Sequence, residues 1–204
     1  MVFGILAFLW VDTKTFTSEV THQHEFSLPY DYDKVRKILV RTDSLGVIVR
    51  GSAGELLDER WLRLSVGTPK RGGWLRGVWE LQGEKVFRVR VTSGHAKGNV
   101  LVFRQVVSVT GDRVVSDISL IEPTAFFTRY DSHTEVSQVG KWTRFFSQTT
   151  VGVRVRAPKF YLKQSYLDQE LSESVMGGLL RTQSIIEGLI ERYKDVKLPI
   201  PVAG

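Results

Sequence analysis

Much of what the 204-residue chain can do is limited by what it lacks. It has no cysteine, which excludes a disulfide framework, an iron–sulfur cluster, a thiolate zinc site and a cysteine nucleophile. It has a single asparagine, Asn99, beside 17 arginines and 27 valines. Few thermolabile residues and abundant arginine are typical of a thermophile protein.

The short motifs of the common enzyme classes are missing as well. The chain has no G-x-S-x-G turn, no Walker loop and no G-x-G-x-x-G segment after a strand. The glycine pairs Gly72-Gly73 and Gly177-Gly178 lack the lysine and hydroxyl residue that complete a P-loop. These absences favour a non-enzymatic protein without a cofactor and leave catalysis as an open alternative.

The composition is that of a globular protein, with 42% hydrophobic and 25% charged residues and a net charge of +6. A chain of this length suits one domain with a sizeable core, and no repeat or low-complexity tract divides it. We expect one domain over residues 15–197, an apolar extension at 1–14 and an extended tail at 198–204.

The extension begins with an apolar run at residues 1–11, MVFGILAFLWV. The run is shorter than the roughly 20 residues that span a membrane, and no basic residue precedes it as in a secretory signal. We therefore expect a cytoplasmic protein in which the run forms an extra strand, packs on the core or packs on a second copy in a homodimer. Shallow insertion into a membrane surface and a misassigned start codon are the alternatives.

Residues 15–28 alternate between two faces, which predicts a half-buried strand. One face carries the positions from Phe16 to Leu28, including His22 and His24. Pro29 ends the strand, and the following aspartates predict the cap of a short helix.

Further strands are indicated between turn signals. The predicted strands are 55–66, 73–81, 84–93, 98–109, 113–122 and 141–156. Gln82-Gly83 and Thr110-Gly111-Asp112 suit hairpins, and Gly94 and Gly98 bracket a third turn. The segment 122–138 fits either a long loop or another strand.

The last element is a long helix over about residues 165–195, because apolar residues recur there at spacings of three, four or seven. Gly177-Gly178 lies in its middle, where each glycine costs about 1 kcal/mol relative to alanine. Such a pair predicts a kink or a close approach by another group.

This order of elements resembles the helix-grip fold of the START and Bet v 1-like (SRPBCC) superfamily, which includes polyketide cyclase-like and CoxG-like proteins. The resemblance covers about residues 15–195 and is carried by TFTSEVTHQHEFSLP, by YDYDKVRKIL and by the terminal helix with Gly177-Gly178. It implies an α+β fold, in which a curved antiparallel sheet of about seven strands wraps around the C-terminal helix. An apolar cavity between sheet and helix is implied with it.

In such a fold the inward strand faces line the cavity, where a few polar groups orient a ligand. The candidate ligand-binding residues are His22, His24, Phe87, Val89, Phe103, Gln105, Leu120, Val153, Gly177 and Gly178. Plain core packing is the alternative for each apolar member.

His22 and His24 share a strand face at about 6.5–7 Å, within reach of one metal ion or one anionic group. Zinc or iron needs a third protein ligand, and Glu19 and Glu25 point the other way. We therefore expect no metal site and favour hydrogen-bonded histidines. Ligand contact or proton transfer makes the pair weak catalytic candidates.

The same alternation turns several arginines outward into a basic face on neighbouring strands. Its members are Arg76, Arg88, Arg90 and Arg104. Such a face attracts anionic lipid or nucleic acid, whereas a salt-bridged thermophile surface is the favoured interpretation. Nucleic acid is disfavoured further, because no aromatic stacking platform accompanies the arginines.

The leading functional hypothesis is a carrier or sensor that binds an apolar or amphipathic small molecule or lipid between the sheet and the terminal helix. One alternative is a cyclase- or hydrolase-like enzyme in the same cavity, with His22 or His24 as general acid–base. The other is a peripheral membrane or nucleic-acid adaptor that uses residues 1–11 and the basic face.

Overall fold

A computed structural model describes residues 13–42, 44–67 and 80–196. The apolar run at 1–11, the tail at 198–204, Arg76 and most of the predicted strand 73–81 lie outside these residues. The strands are β1 (Thr13–Leu28), β2 (Gly54–Gly67), β3 (Glu80–Val91), β4 (Val100–Val109), β5 (Arg113–Leu120), β6 (Phe127–Val139) and β7 (Trp142–Pro158). The helices are α1 (Tyr32–Arg41), α2 (Ser44–Gly51) and α3 (Gln164–Tyr193).

The seven strands form one curved antiparallel sheet in the order β1-β7-β6-β5-β4-β3-β2. Neighbours in this order are also neighbours in sequence, except that β1 pairs with β7. That register runs from Thr13 opposite Pro158 to Leu28 opposite Thr143 and places alternate residues of both strands on one face. With the long α3, the sheet confirms the α+β helix-grip architecture.

All three helices lie on one face of the sheet, here called the inner face. α1 covers one end, where Val35 and Ile38 pack with Phe145 of β7. α2 packs near the other end, where Leu45 and Val49 contact a cluster of β3 and β4 residues. α3 lies mainly along β1, with smaller contacts to α2, α1 and β7. The core therefore consists of separate clusters under the helices.

Several turns and caps follow the sequence signals. The Asp31 carboxylate accepts a hydrogen bond of 2.9 Å from the Asp33 amide and caps α1. The hairpin at residues 110–112 joins β4 to β5, and Gly94 and Gly98 take positive φ values of 72° and 89° between β3 and β4. The segment 122–138 contains a strand, β6.

The hairpin expected at Gln82-Gly83 is wrong, because β3 runs without interruption from Glu80 to Val91. A glycine at position 83 allows a side chain of the neighbouring strand to pack closely against β3. A Cβ atom there would lie 2.4 Å from Cζ3 of Trp61, so the indole ring of β2 occupies the space above this glycine. A glycine inside a strand marks a close approach here, as it often does.

The close approach expected at Gly177-Gly178 is also absent. A Cβ atom built on either glycine meets no other atom within 4 Å, and α3 continues through both residues. No helix in the described part of the chain is long and apolar enough to cross a membrane.

Replacing Phe145 with alanine should lower the free energy of unfolding by roughly 3–5 kcal/mol, the usual cost of truncating a buried phenylalanine. Phe145 is 1% exposed, and its ring stacks on Phe26 at a centroid distance of 4.7 Å. Denaturant unfolding measures the change. Phe160→Ala is the matched control, because Phe160 is 81% exposed and its loss should change stability by no more than about 0.5 kcal/mol. Equal losses in both variants would contradict the assigned core.

Candidate functional site

The middle of the inner face is polar, whereas both of its ends are apolar. Successive register partners across the sheet are His22, Thr149, Ser132, Ile118, Gln105, Lys85 and Trp61. The adjacent row contains His24, Ser147, Thr134 and Ser116. The polar members of these two rows are called the polar band, and they are His22, His24, Lys85, Gln105, Ser116, Ser132, Thr134, Ser147 and Thr149.

Hydrogen bonds between neighbouring strands satisfy much of the polar band. The hydroxyls of Ser132 and Thr149 are 2.9 Å apart, and the Gln105 amide donates to Ser116 Oγ at 2.8 Å. Tyr130 extends the network from the apolar side by a hydrogen bond to Ser132, and burial raises the pKa of its phenol. The band is thus a connected polar surface within an otherwise apolar face.

The two histidines are hydrogen-bonded to α3. His22 Nε2 lies 2.9 Å from Ser172 Oγ, and His24 Nε2 lies 2.6 Å from Gln183 Oε1. The Gln183 amide nitrogen donates to Glu187, so its oxygen faces the imidazole and His24 Nε2 carries the hydrogen. Their predicted hydrogen-bonded role is therefore seen directly, with the partners supplied by the terminal helix.

The apolar candidates lie on the inner face as their alternation predicts. Phe87, Val89 and Phe103 are buried in one cluster, with Leu120 packed against it. Val153 is buried beneath α3. Their contribution to ligand binding stays a prediction, since each also packs in the core.

Space is left beneath the middle of α3. Gly178 lies seven residues after Leu171, which packs on β7, and seven before Ile185, which reaches α2 at Gly51. A heptad spacing puts all three on one side of the helix. Gly178 is half-buried there, and nothing lies within 4 Å of the position of its Cβ, whereas Gly177 is exposed. The surface of α3 is therefore open at Gly178, whereas Val175 and Leu179 close to it are buried and Val175 packs on β7.

Two shallow depressions are found elsewhere on the described surface. One, of about 330 Å³, is lined by β2, β3 and β4 residues that include Leu64, Gly83 and Val107. The other, of about 240 Å³, lies between α1 and the end of α3. Neither is lined by the histidines or by Gly178, and neither lies between the sheet and the middle of α3.

Sequence reasoning missed Lys85, the most buried cation on the inner face. Lys85 is 8% exposed, and its Nζ lies 2.7 Å from Glu59 Oε2 of β2. The signal was available, because Lys85 alternates in phase with Phe87 and Val89. The predicted strand 84–93 already contained Lys85 in this phase, next to the turn expected at Gln82-Gly83.

The described members of the basic face point outward and are ion-paired. Arg88 pairs with Asp58, Arg90 with Glu55 at 2.8 Å and Arg104 with Glu84 at 2.9 Å. Each arginine is about half exposed, so each pair contributes little stability by itself. The carboxylates offset the positive potential of this face.

The described residues contain no group of three or more His, Asp or Glu side chains able to hold a metal ion. The polar side chains of the band are imidazole, amide, hydroxyl and ammonium groups.

His24 and Gln183 should be energetically coupled, because the hydrogen bond between them is partly shielded between β1 and α3. A double-mutant cycle with His24→Ala and Gln183→Ala, measured by denaturant unfolding, should give a coupling free energy of about 0.5–1.5 kcal/mol. The Gln23–Gln148 pair, which joins β1 to β7 on the opposite, exposed face of the sheet, is the control and should give a value near zero. Equal coupling in both cycles would show that the histidine does not help to dock α3.

No family model and no curated protein matches the chain in sequence. Solved structures match in fold. The ZhuI aromatase/cyclase from Streptomyces sp. R1128 superposes with a TM-score of 0.54 at 11% identity, over 87% of this chain and 97% of that one. The protein TTHA0849 from Thermus thermophilus superposes with a TM-score of 0.52 at 11% identity, over 86% of this chain and 100% of that one. CC1736 from Caulobacter crescentus superposes with a TM-score of 0.50 at 15% identity, over 86% of this chain and 98% of that one. The chain has the START and Bet v 1-like (SRPBCC) fold.

Proposed function

We propose that the protein binds an apolar or amphipathic small molecule in the groove between the inner face of the sheet and α3. The observation that carries the proposal is the polar band between two apolar clusters, on the face of the sheet that α3 packs against. The half-buried Gly178 of that helix has open space beside it. A mostly apolar cleft with a few placed polar groups is the usual form of a ligand site.

The energetics of the polar band support this proposal. A row of hydroxyl, amide and ammonium groups on the face that carries the core contributes less to stability than well-packed apolar residues. Lys85 and Thr149 are buried, whereas the other members are half-buried and remain available to a ligand. The apolar clusters on either side would contact the ligand body, and the band would orient its polar group.

Binding is favoured over acid–base catalysis by the contacts of the histidines. Both Nε2 atoms face α3, and each already has a hydrogen-bond partner there. ZhuI is an aromatase/cyclase with the same fold, and this likeness keeps a cyclase-like reaction as the second candidate. Loss of turnover without loss of affinity in a His22→Ala or His24→Ala variant would establish it.

The adaptor hypothesis has less support. The described arginines of the basic face each have a carboxylate partner, and residues 1–11 lie outside the described structure. Binding to anionic vesicles that weakens steeply with salt would be needed to restore it.

Filling the space at Gly178 should weaken ligand binding. The neutral fluorophore N-phenyl-1-naphthylamine serves as an apolar probe, and its fluorescence should rise on binding to the wild-type protein. Gly178→Trp should raise the dissociation constant of the probe at least about tenfold. The indole would occupy the space at Gly178 and remove apolar contact area from the probe.

Gly177→Trp is the matched control for this experiment. It makes the same change one residue away, in open space on the exposed side of α3, and should leave probe affinity within about twofold. Circular dichroism verifies that both variants fold. Absence of probe binding, or equal effects of the two substitutions, would contradict the proposed function.

A further inference from the structure

Lys85 occupies an unusual position for a lysine. It lies on the inner face of β3 between Trp61 of β2 and Gln105 of β4, its register partners. Its side chain is 10% exposed. Burying an ammonium is costly unless it is paired, and Lys85 is paired with the Glu59 carboxylate at 2.7 Å. A cation is thus held at the end of the polar band nearest the edge strand.

The Glu59 partner is accessible to solvent. Its side chain is 41% exposed, and it lies on β2, the last strand of the sheet. An ammonium group has three N–H donors, and Glu59 accepts one of them. An incoming anionic oxygen can therefore bind the remaining donors or displace Glu59 into water.

Trp61 supplies a flat apolar wall beside this cation. The Lys85 Nζ lies 5.2 Å from the indole centroid, and the ring covers Gly83. Trp61 is nevertheless 42% exposed, and Leu64 on the same strand is 46% exposed. Large apolar side chains left open on the face that carries the core are a feature of binding surfaces.

We propose that Lys85 and Trp61 form a head-group site for an acidic amphiphile, a molecule with an apolar body and one anionic oxygen group such as a carboxylate. The ammonium binds the anionic oxygen, the indole packs on the adjoining apolar part, and the body of the ligand extends along the groove toward Gly178. This assignment rests on the proposed function and specifies the class of ligand.

A structural ion pair is the competing explanation for Lys85 and Glu59. In that case the pair only satisfies a buried charge, and neither residue affects what enters the groove. Two fluorophores with the same aromatic body separate the explanations. 1-Anilinonaphthalene-8-sulfonate carries an anionic group, and N-phenyl-1-naphthylamine does not.

Lys85→Met keeps the length of the side chain and removes its charge. It should weaken binding of the sulfonate probe about tenfold or more, as expected for loss of a charged hydrogen bond, and change that of the neutral probe less than about twofold. Lys85→Arg should restore most of the sulfonate affinity, because it restores the positive charge. Arg104→Met on the outer face is the control and should alter neither affinity.

Glu59→Gln tests the site with the lysine in place. Removing the competing carboxylate should tighten sulfonate binding about threefold or more and leave the neutral probe unchanged. If Lys85→Met does not fold, as judged by circular dichroism, this variant decides alone. Equal effects on both probes in either variant, or no effect on the sulfonate, would overturn the head-group site.

The two proposals fail in different ways. Suppose that Gly178→Trp weakens binding of the neutral probe, whereas Lys85→Met leaves the affinity for the sulfonate probe unchanged. In that case the proposed groove is supported and the head-group site is wrong. If neither probe binds the wild-type protein, both proposals are wrong.

Discussion

The pairing of the first strand with the last is the interaction on which the architecture depends. β1 and β7 are opposed from Thr13–Pro158 to Leu28–Thr143, although five other strands separate them in the sequence. Contacts of such high sequence separation slow folding. They also decide where α3 goes, because α3 follows β7 directly and returns along the inner face of β1.

That placement is the structural basis of the proposed groove. Because α3 lies along β1, it covers the inner face at that side of the curved sheet. The inner faces of the strands nearer β2 are left to the short helices. α1 and α2 cover the ends, where Phe145 and Phe87 are buried, and the polar band lies between them. The bonds from His22 and His24 to α3 hold the helix at this side. The two histidines, which the sequence pattern marks as candidates for chemistry, thus help to hold α3 in position.

Local patterns were sufficient wherever local interactions decide the structure. The alternation of β1, the turn at residues 110–112 and the spacing of α3 all appear in short windows of sequence, and the structure has each of them. The hairpin at Gln82-Gly83 failed because that glycine accommodates the Trp61 ring of the neighbouring strand. α2 carries little helical signal, since SLGVIVRG is rich in glycine and β-branched residues, and packing on β2 and α3 overrides propensity there. His22, His24 and Gln105 were found by alternation, and the same alternation includes Lys85, but its pairing with Glu59 depends on the neighbouring strand β2.

The charge of +6 has a different meaning on the two faces of the sheet. On the outer face Arg88, Arg90 and Arg104 each meet a carboxylate in water, where an ion pair costs little and contributes little. On the inner face Lys85 sits where desolvation makes any charge expensive and any partner strongly favourable. A composition rich in arginine draws attention to the outer surface, yet the cost of burying a charge is the reason that we propose the anion site at one inward lysine.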